Sequence, residues 1–192
     1  MLFARFFICL LFLNPALLQA SEVSRIGYGL ELHQLTVHDP DGEVATTSGS
    51  SYINLYYSDY LWRDTRYLVQ INSFESGIDA EVNKIGQDIS SKGFFASIQK
   101  RLRLTRNFKP WLGGGLGYTT DEFSQRHNID KDGFLINQLQ DRNESSVNLL
   151  LNLTKEWELL DKMELSGQFQ YRYPFGDGIE STSMSLALFY LM

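Results

Sequence analysis

The stretch Arg25-Ile-Gly-Tyr-Gly-Leu-Glu-Leu-His33 alternates without a break. Ile26, Tyr28, Leu30 and Leu32 fall on one side of an extended chain, and Arg25, Gly27, Gly29, Glu31 and His33 on the other. A period of two is the mark of a β-strand with unlike faces. The same division recurs along the chain. Ile53, Leu55 and Tyr57 oppose Tyr52, Asn54 and Tyr56, and Tyr67, Val69 and Ile71 oppose Arg66, Gln70 and Asn72. A fourth strand sets Phe94, Ala96, Ile98, Leu102 and Leu104 against Ser97, Gln99, Arg101 and Arg103, with Lys100 as a misplaced charge on the apolar side. Leu112, Leu116 and Tyr118 face away from Gly113, Gly115 and Gly117. Val147, Leu149, Leu151 and Leu153 oppose Asn148, Asn152, Thr154 and Glu156. Leu165, Phe169, Tyr171 and Tyr173 oppose Glu164, Ser166, Gln168, Gln170 and Arg172. The eighth strand carries Met184, Leu186, Leu188, Tyr190 and Met192 on one face.

Eight strands of about ten residues each match the length a tilted strand needs to cross a bilayer. The connections alternate in length. His38–Ser50, Phe74–Lys92 and Thr119–Ser145 read as long loops and Pro174–Thr182 as a shorter one, whereas Asp59–Asp64, Thr105–Lys109 and Glu158–Lys162 read as tight turns. In an up-and-down barrel this gathers every long loop at one rim, as in outer-membrane barrels with short periplasmic turns. Aromatic residues stand near the strand ends, with Tyr60, Trp62, Tyr67 and Trp157 on the turn side and Tyr118, Tyr171 and Tyr173 on the loop side, as interfacial girdles do. The expected fold is therefore an all-β, eight-stranded antiparallel up-and-down transmembrane barrel, monomeric, with both termini in the periplasm. The rival reading is a soluble periplasmic lipocalin-like barrel with the same faces turned inside out.

Residues 1–20 read as a secretory signal peptide, leaving 21–192 as the barrel domain. Met1–Arg5 supplies a positive n-region, Phe6–Leu13 an apolar core and Leu18-Gln19-Ala20 a cleavage site. The single cysteine, Cys9, lies in that leader, so the mature chain has no disulfide and no thiolate chemistry. Across 192 residues, 23 acids outnumber 17 lysines and arginines, giving a net charge of -6, which argues against a nucleic-acid partner.

Lys109-Pro-Trp-Leu-Gly-Gly-Gly-Leu-Gly-Tyr118 resembles the proline-aromatic-glycine strand of small outer-membrane β-barrel proteins of the OmpA and OmpX type. The Met184-x-Leu186-x-Leu188-x-Tyr190-x-Met192 row is similar to the signal read by the bacterial barrel-assembly machinery, with Met192 where phenylalanine is usual. The resemblance implies a Gram-negative outer-membrane location among lipid and lipopolysaccharide. It also implies assembly through Leu186, Leu188, Tyr190 and Met192.

An eight-stranded barrel encloses a space that side chains fill, so no porin-like channel is expected. Its expected contents are a charge network of Arg25, Glu31, Arg66, Arg101, Arg103, Glu156, Glu164 and Arg172, bound to be mutually compensating because buried charge must be paired. No catalytic residue, cofactor or metal site is assigned. A lipid A-modifying enzyme is the alternative, but His33, His38 and His127 form no histidine-x-serine pair with Ser48, Ser50, Ser181 or Ser183. Asn128-Ile-Asp-Lys-Asp-Gly133 has calcium-loop spacing, yet Leu139 stands where the bidentate glutamate belongs, so it reads as an aspartate-glycine turn. Function is expected at the loops, in envelope structure or in binding a surface ligand, with Lys84, Arg126 and Arg142 as candidates for lipid phosphates.

Overall fold

The computed structural model describes residues 24–105, 108–176 and 178–192. The leader expected at 1–20 lies outside them. Nine strands form in chain order: β1 (Arg25–Val37), β2 (Ala45–Trp62), β3 (Thr65–Ile78), β4 (Gly86–Arg101), β5 (Trp111–Ile129), β6 (Leu135–Gln138), β7 (Arg142–Leu160), β8 (Met163–Pro174) and β9 (Ile179–Leu191). Eight of them close a barrel. Each pairs antiparallel with its neighbours in the order β4-β3-β2-β1-β9-β8-β7-β5, and β4 pairs with β5 to seal the ring. β6 lies outside the ring as a short branch on β5. Closure satisfies the backbone of every spanning strand, which lipid cannot do.

The apolar faces point outward. Leu30 is 53% exposed and Leu116 55%, whereas Arg25, Glu31 and Arg66 are each 1% exposed. A soluble barrel with the apolar faces inside is thereby overturned. Where β2 bulges between Ser50 and Ile53, Tyr52 turns outward beside Ile53 rather than inward, and it accepts the Tyr28 hydroxyl at its carbonyl.

The strands are much longer than the sequence reading expects, because the alternation does not stop at the membrane but reverses. Outward Leu32 gives way to Gln34, and inward His33 gives way to Leu35. On β3, outward Ile71 is followed by Ser73 and inward Asn72 by Phe74. On β9, outward Met184 is preceded by Thr182 and inward Ser181 by Ile179. Above these points Leu35, Val37, Phe74, Ile89, Phe123 and Ile179 pack as a buried apolar cluster inside the barrel, with polar side chains facing water. The segments expected as long loops are thus largely strand. β5 and β7 each run for 19 residues, well past the roughly ten that a bilayer needs.

The glycine-rich strand has a packing reason. Phe95 on β4 lies fully buried in the lumen, and a Cβ on Gly117 of β5 would stand 2.0 Å from its ring, as one on Gly93 of β4 would at 2.4 Å.

Candidate functional site

Three regions position polar or reactive side chains: the lumen, the turn-side rim and the upper rim.

The lumen holds two carboxylate centres. Near the turns, Glu156 accepts from Arg25 at 2.8 Å and from the indole of Trp111 at 2.8 Å, and it pairs with Arg66. Glu164 takes a second contact from Arg25 at 2.8 Å. The Arg66 guanidinium lies 4.1 Å over the Trp111 ring and donates from Nε to Gln99 at 2.6 Å. Gln99 passes the network on to Asn152 at 2.8 Å and Thr154 at 3.0 Å. Deeper inside, Glu31 accepts from Arg172 at 2.8 Å, Ser183 at 2.5 Å and Gln70 at 2.9 Å. Arg172 also covers the Phe95 ring at 4.2 Å. The two centres occupy different depths because Arg25 and Glu31 sit six residues apart on the inward face of β1.

Of the eight charges expected in the lumen, the structure brings six together: Arg25, Arg66 and Arg172 with Glu31, Glu156 and Glu164. Arg101 and Arg103 are corrected. Both are exposed, since β4 ends at Arg101 and the chain leaves the wall there. Arg101 lies 5.3 Å from the Trp111 ring, and Arg103 pairs with Asp64 at 2.6 Å. Of those eight, three arginines remain facing three glutamates. Trp111 and the amides of Gln70, Gln99 and Asn152 join the network beyond the eight expected charges. Their inward parity with Arg66 and Arg101 on neighbouring strands was the available signal. Tyr60 is also corrected: it faces the lumen mouth rather than the girdle, 5.8 Å from Trp111 and beneath Arg25.

No hydrolytic constellation reaches the outer lipid interface among the described residues. His33 and Ser183 are cross-strand partners beside Glu31, but the serine donates to the carboxylate, and His33 packs on Phe74 at 4.6 Å within the closed lumen. His127 hydrogen-bonds the Gln125 carbonyl at 2.8 Å, beside Gly86. In the Asn128–Gly133 turn, Asp130 accepts the backbone N–H groups of Asp132 at 2.9 Å and Phe134 at 2.8 Å, so its carboxylate caps its own turn.

At the upper rim the three cations expected to meet lipid phosphates are engaged. Lys84 pairs with Glu81 at 2.6 Å and Arg142 with Glu144 at 3.2 Å. Arg126 grips Asp39 at 2.7 Å and Asp41 at 2.8 Å and donates to the Gln140 carbonyl at 2.7 Å, tying the β1–β2 connection to the β5–β7 hairpin. Burial pulls the Arg126 pKa down, but the hydrogen bonds and charges of Asp41 and Asp39 outweigh it and hold the guanidinium above its ordinary value. Beyond this clamp the hairpin tip leaves Phe134, Leu135 and Ile136 exposed together, each by 63% or more.

A closed eight-stranded ring with a lipid-facing apolar belt and a polar, filled interior defines an integral outer-membrane β-barrel protein. Solved structures share the architecture. Neisserial surface protein A matches with a TM-score of 0.60 at 14% identity, over 88% of this chain and 97% of that one. Ail, the attachment invasion locus protein of Yersinia pestis, matches with a TM-score of 0.56 at 14% identity, over 89% and 99%. OprG from Pseudomonas aeruginosa matches with a TM-score of 0.51 at 12% identity, over 88% and 93%. No protein-family model and no curated protein matches the sequence.

Proposed function

We propose that this outer-membrane barrel is a non-enzymatic surface-binding protein that engages a partner protein through the tip of its β5–β7 hairpin. One observation carries this reading: Phe134, Leu135 and Ile136 stand exposed on a hairpin that continues past the membrane boundary for roughly 30 Å along the strand. Adjacent exposed apolar side chains on a rigid projection are a contact surface seeking cover. The Arg126 clamp supports the role by tying the hairpin, just below its tip, to the β1–β2 connection. The filled lumen supports it by leaving the rim as the working part, with the charge network serving to hold the wall rigid.

Ail has been solved with the heparin analogue sucrose octasulfate. The upper rim of this chain favours a different ligand, because Arg126, Lys84 and Arg142 are spent on internal carboxylates. Assembly through the outward row Leu186, Leu188, Tyr190 and Met192 belongs to the same proposal. Deleting Tyr190–Met192 is expected to lower insertion by the barrel-assembly machinery more than deleting Lys131–Leu135.

The test of surface binding places a photo-crosslinking residue at Phe134 in intact cells, with a second at Glu158 on the opposite rim. Adducts at position 134 that vanish when Leu135 and Ile136 become serine support the reading. Equal labelling at both positions, or none at 134, overturns it. For the enzyme alternative, lipid A from cells with and without the protein is expected to have one mass profile, and an acyl chain gained or lost with expression reverses the ranking.

A further inference from the structure

The turn-side rim carries a feature that the surface-binding role does not use. A cavity of about 380 Å3 opens between the β2–β3 turn and the chain just after β4 and just before β5, lined by Tyr60, Arg63, Asp64, Arg101, Arg103 and Lys109, so four cations face one carboxylate. This concentration stands out in a chain of net charge -6. The β2–β3 turn is pinned to the end of β4, since Arg101 donates its backbone N–H to the Asp64 carbonyl at 2.9 Å. Asp64 satisfies Arg103 alone, at 2.6 Å, and Arg101 rests near the Trp111 ring. Arg63 and Lys109 have no ion-pair partner among the described residues.

Two further observations say what the cavity would hold. Around it, Trp62 is 67% exposed and Leu104 61%, apolar side chains at the level where the lipid-facing belt meets water on the periplasmic side. Next to it, Lys100 points outward on β4, paired across the sheet with Thr65 and Leu112. A lysine on the lipid face is costly in the belt but favourable where it reaches a headgroup. Its place one residue from Arg101 puts it at the cavity's lipid side. The geometry points to a binding site for the phosphodiester of an anionic phospholipid of the periplasmic leaflet, with the phosphate among Arg101, Arg103 and Lys109, and Lys100 meeting it from the bilayer. Arginine suits this task because its planar donors match phosphate oxygens two at a time.

The test uses the mature barrel folded in detergent and offered equal amounts of phosphatidylglycerol and phosphatidylcholine, with retained lipid read by native mass spectrometry. One phosphatidylglycerol is expected to be held with a preference of roughly tenfold, as a cluster of surface cations gives. Arg101→Gln with Arg103→Gln is expected to abolish the preference, and Lys84→Gln with Lys131→Gln at the other rim to leave it unchanged. If the first pair does not give the heat-modifiable migration of a folded barrel, Lys100→Gln replaces it, with a fall of about fivefold expected. Equal retention of both lipids by the wild-type protein overturns the assignment, as does an equal loss in the control pair or an unchanged ratio in Lys100→Gln. Displacement of phosphatidylglycerol by millimolar inorganic phosphate would also overturn it, by showing a site for a soluble anion.

Discussion

The indole of Trp111 donates to Glu156 at 2.8 Å while its ring lies 4.1 Å beneath the Arg66 guanidinium, so one side chain serves both members of a buried ion pair. Trp111→Phe keeps an aromatic ring, though a smaller one, and removes the N–H. It is expected to cost about 1.5 to 3 kcal/mol, the worth of a hydrogen bond to a charged group. Trp111→Ala, which also opens a cavity, is expected to cost about 3 to 5 kcal/mol. Urea unfolding in phospholipid vesicles measures both, and a Trp111→Phe variant as stable as the wild type would show that the hydrogen bond contributes nothing.

Glu31 is the carboxylate partner of Arg172 deep in the lumen. Its removal as Glu31→Ala strands that charge, at an expected cost of about 3 to 5 kcal/mol. The double variant Glu31→Ala with Arg172→Leu leaves no charge behind and is expected to regain most of the loss. A double variant as unstable as the single one would mean that the remaining hydrogen bonds, not the pairing, hold this layer.

Outward positions on β9 are expected to report depth. Leu188→Lys, within the belt, should destabilise the folded barrel by about 2 to 4 kcal/mol, and Thr182→Lys, above the reversal point, by about 0 to 1 kcal/mol. Unfolding in vesicles distinguishes them, and equal costs would misplace the membrane boundary.

The glycines of β5 are expected to differ sharply. A Cβ on Gly114 would find its nearest neighbour, the Leu150 carbonyl oxygen, at 3.7 Å, so Gly114→Ala should fold normally. A Cβ on Gly115 would overlap the backbone of Ala96, which cannot step aside, so Gly115→Ala should be strongly destabilised. Heat-modifiable gel migration reads out both.

In planar bilayers the folded protein is expected to show no stable porin-sized conductance. Phe74→Ala with Phe123→Ala should still show none, because the Glu31 and Glu156 layers remain beneath the opened apolar cluster. A steady current in the double variant would place the seal in that cluster alone.

Within the membrane zone the structure was legible because lipid imposes one rule on every strand: Ile26 to Leu32 and Met184 to Tyr190 stay apolar wherever they face out. Above that zone the rule reverses, and ending the first strand's alternation at His33, short of Gln34-Leu35-Thr36-Val37, followed from expecting a single polarity. Continued alternation with the faces exchanged was the missed signal. Arg101 and Arg103 have the right parity for the lumen, but parity says nothing about where a wall stops. The Tyr52 bulge and the inward turn of Tyr60 depend on cross-strand register, which only the neighbouring strand can supply. The exposed tip at Phe134–Ile136 was hidden by composition, three apolar residues inside a segment dominated by polar ones.

The exchange of faces at His33 and Leu35 gives the molecule two storeys under different solvents, sharing continuous strands but not a common folding force. The lower storey draws its stability from lipid and internal charge, the upper from water's exclusion of Leu35, Phe74 and Phe123. Cooling or mild denaturant weakens the second force while leaving lipid contacts in place. The crown is therefore the part whose stability falls first on cooling or in mild denaturant, while the anchored stub below keeps its register.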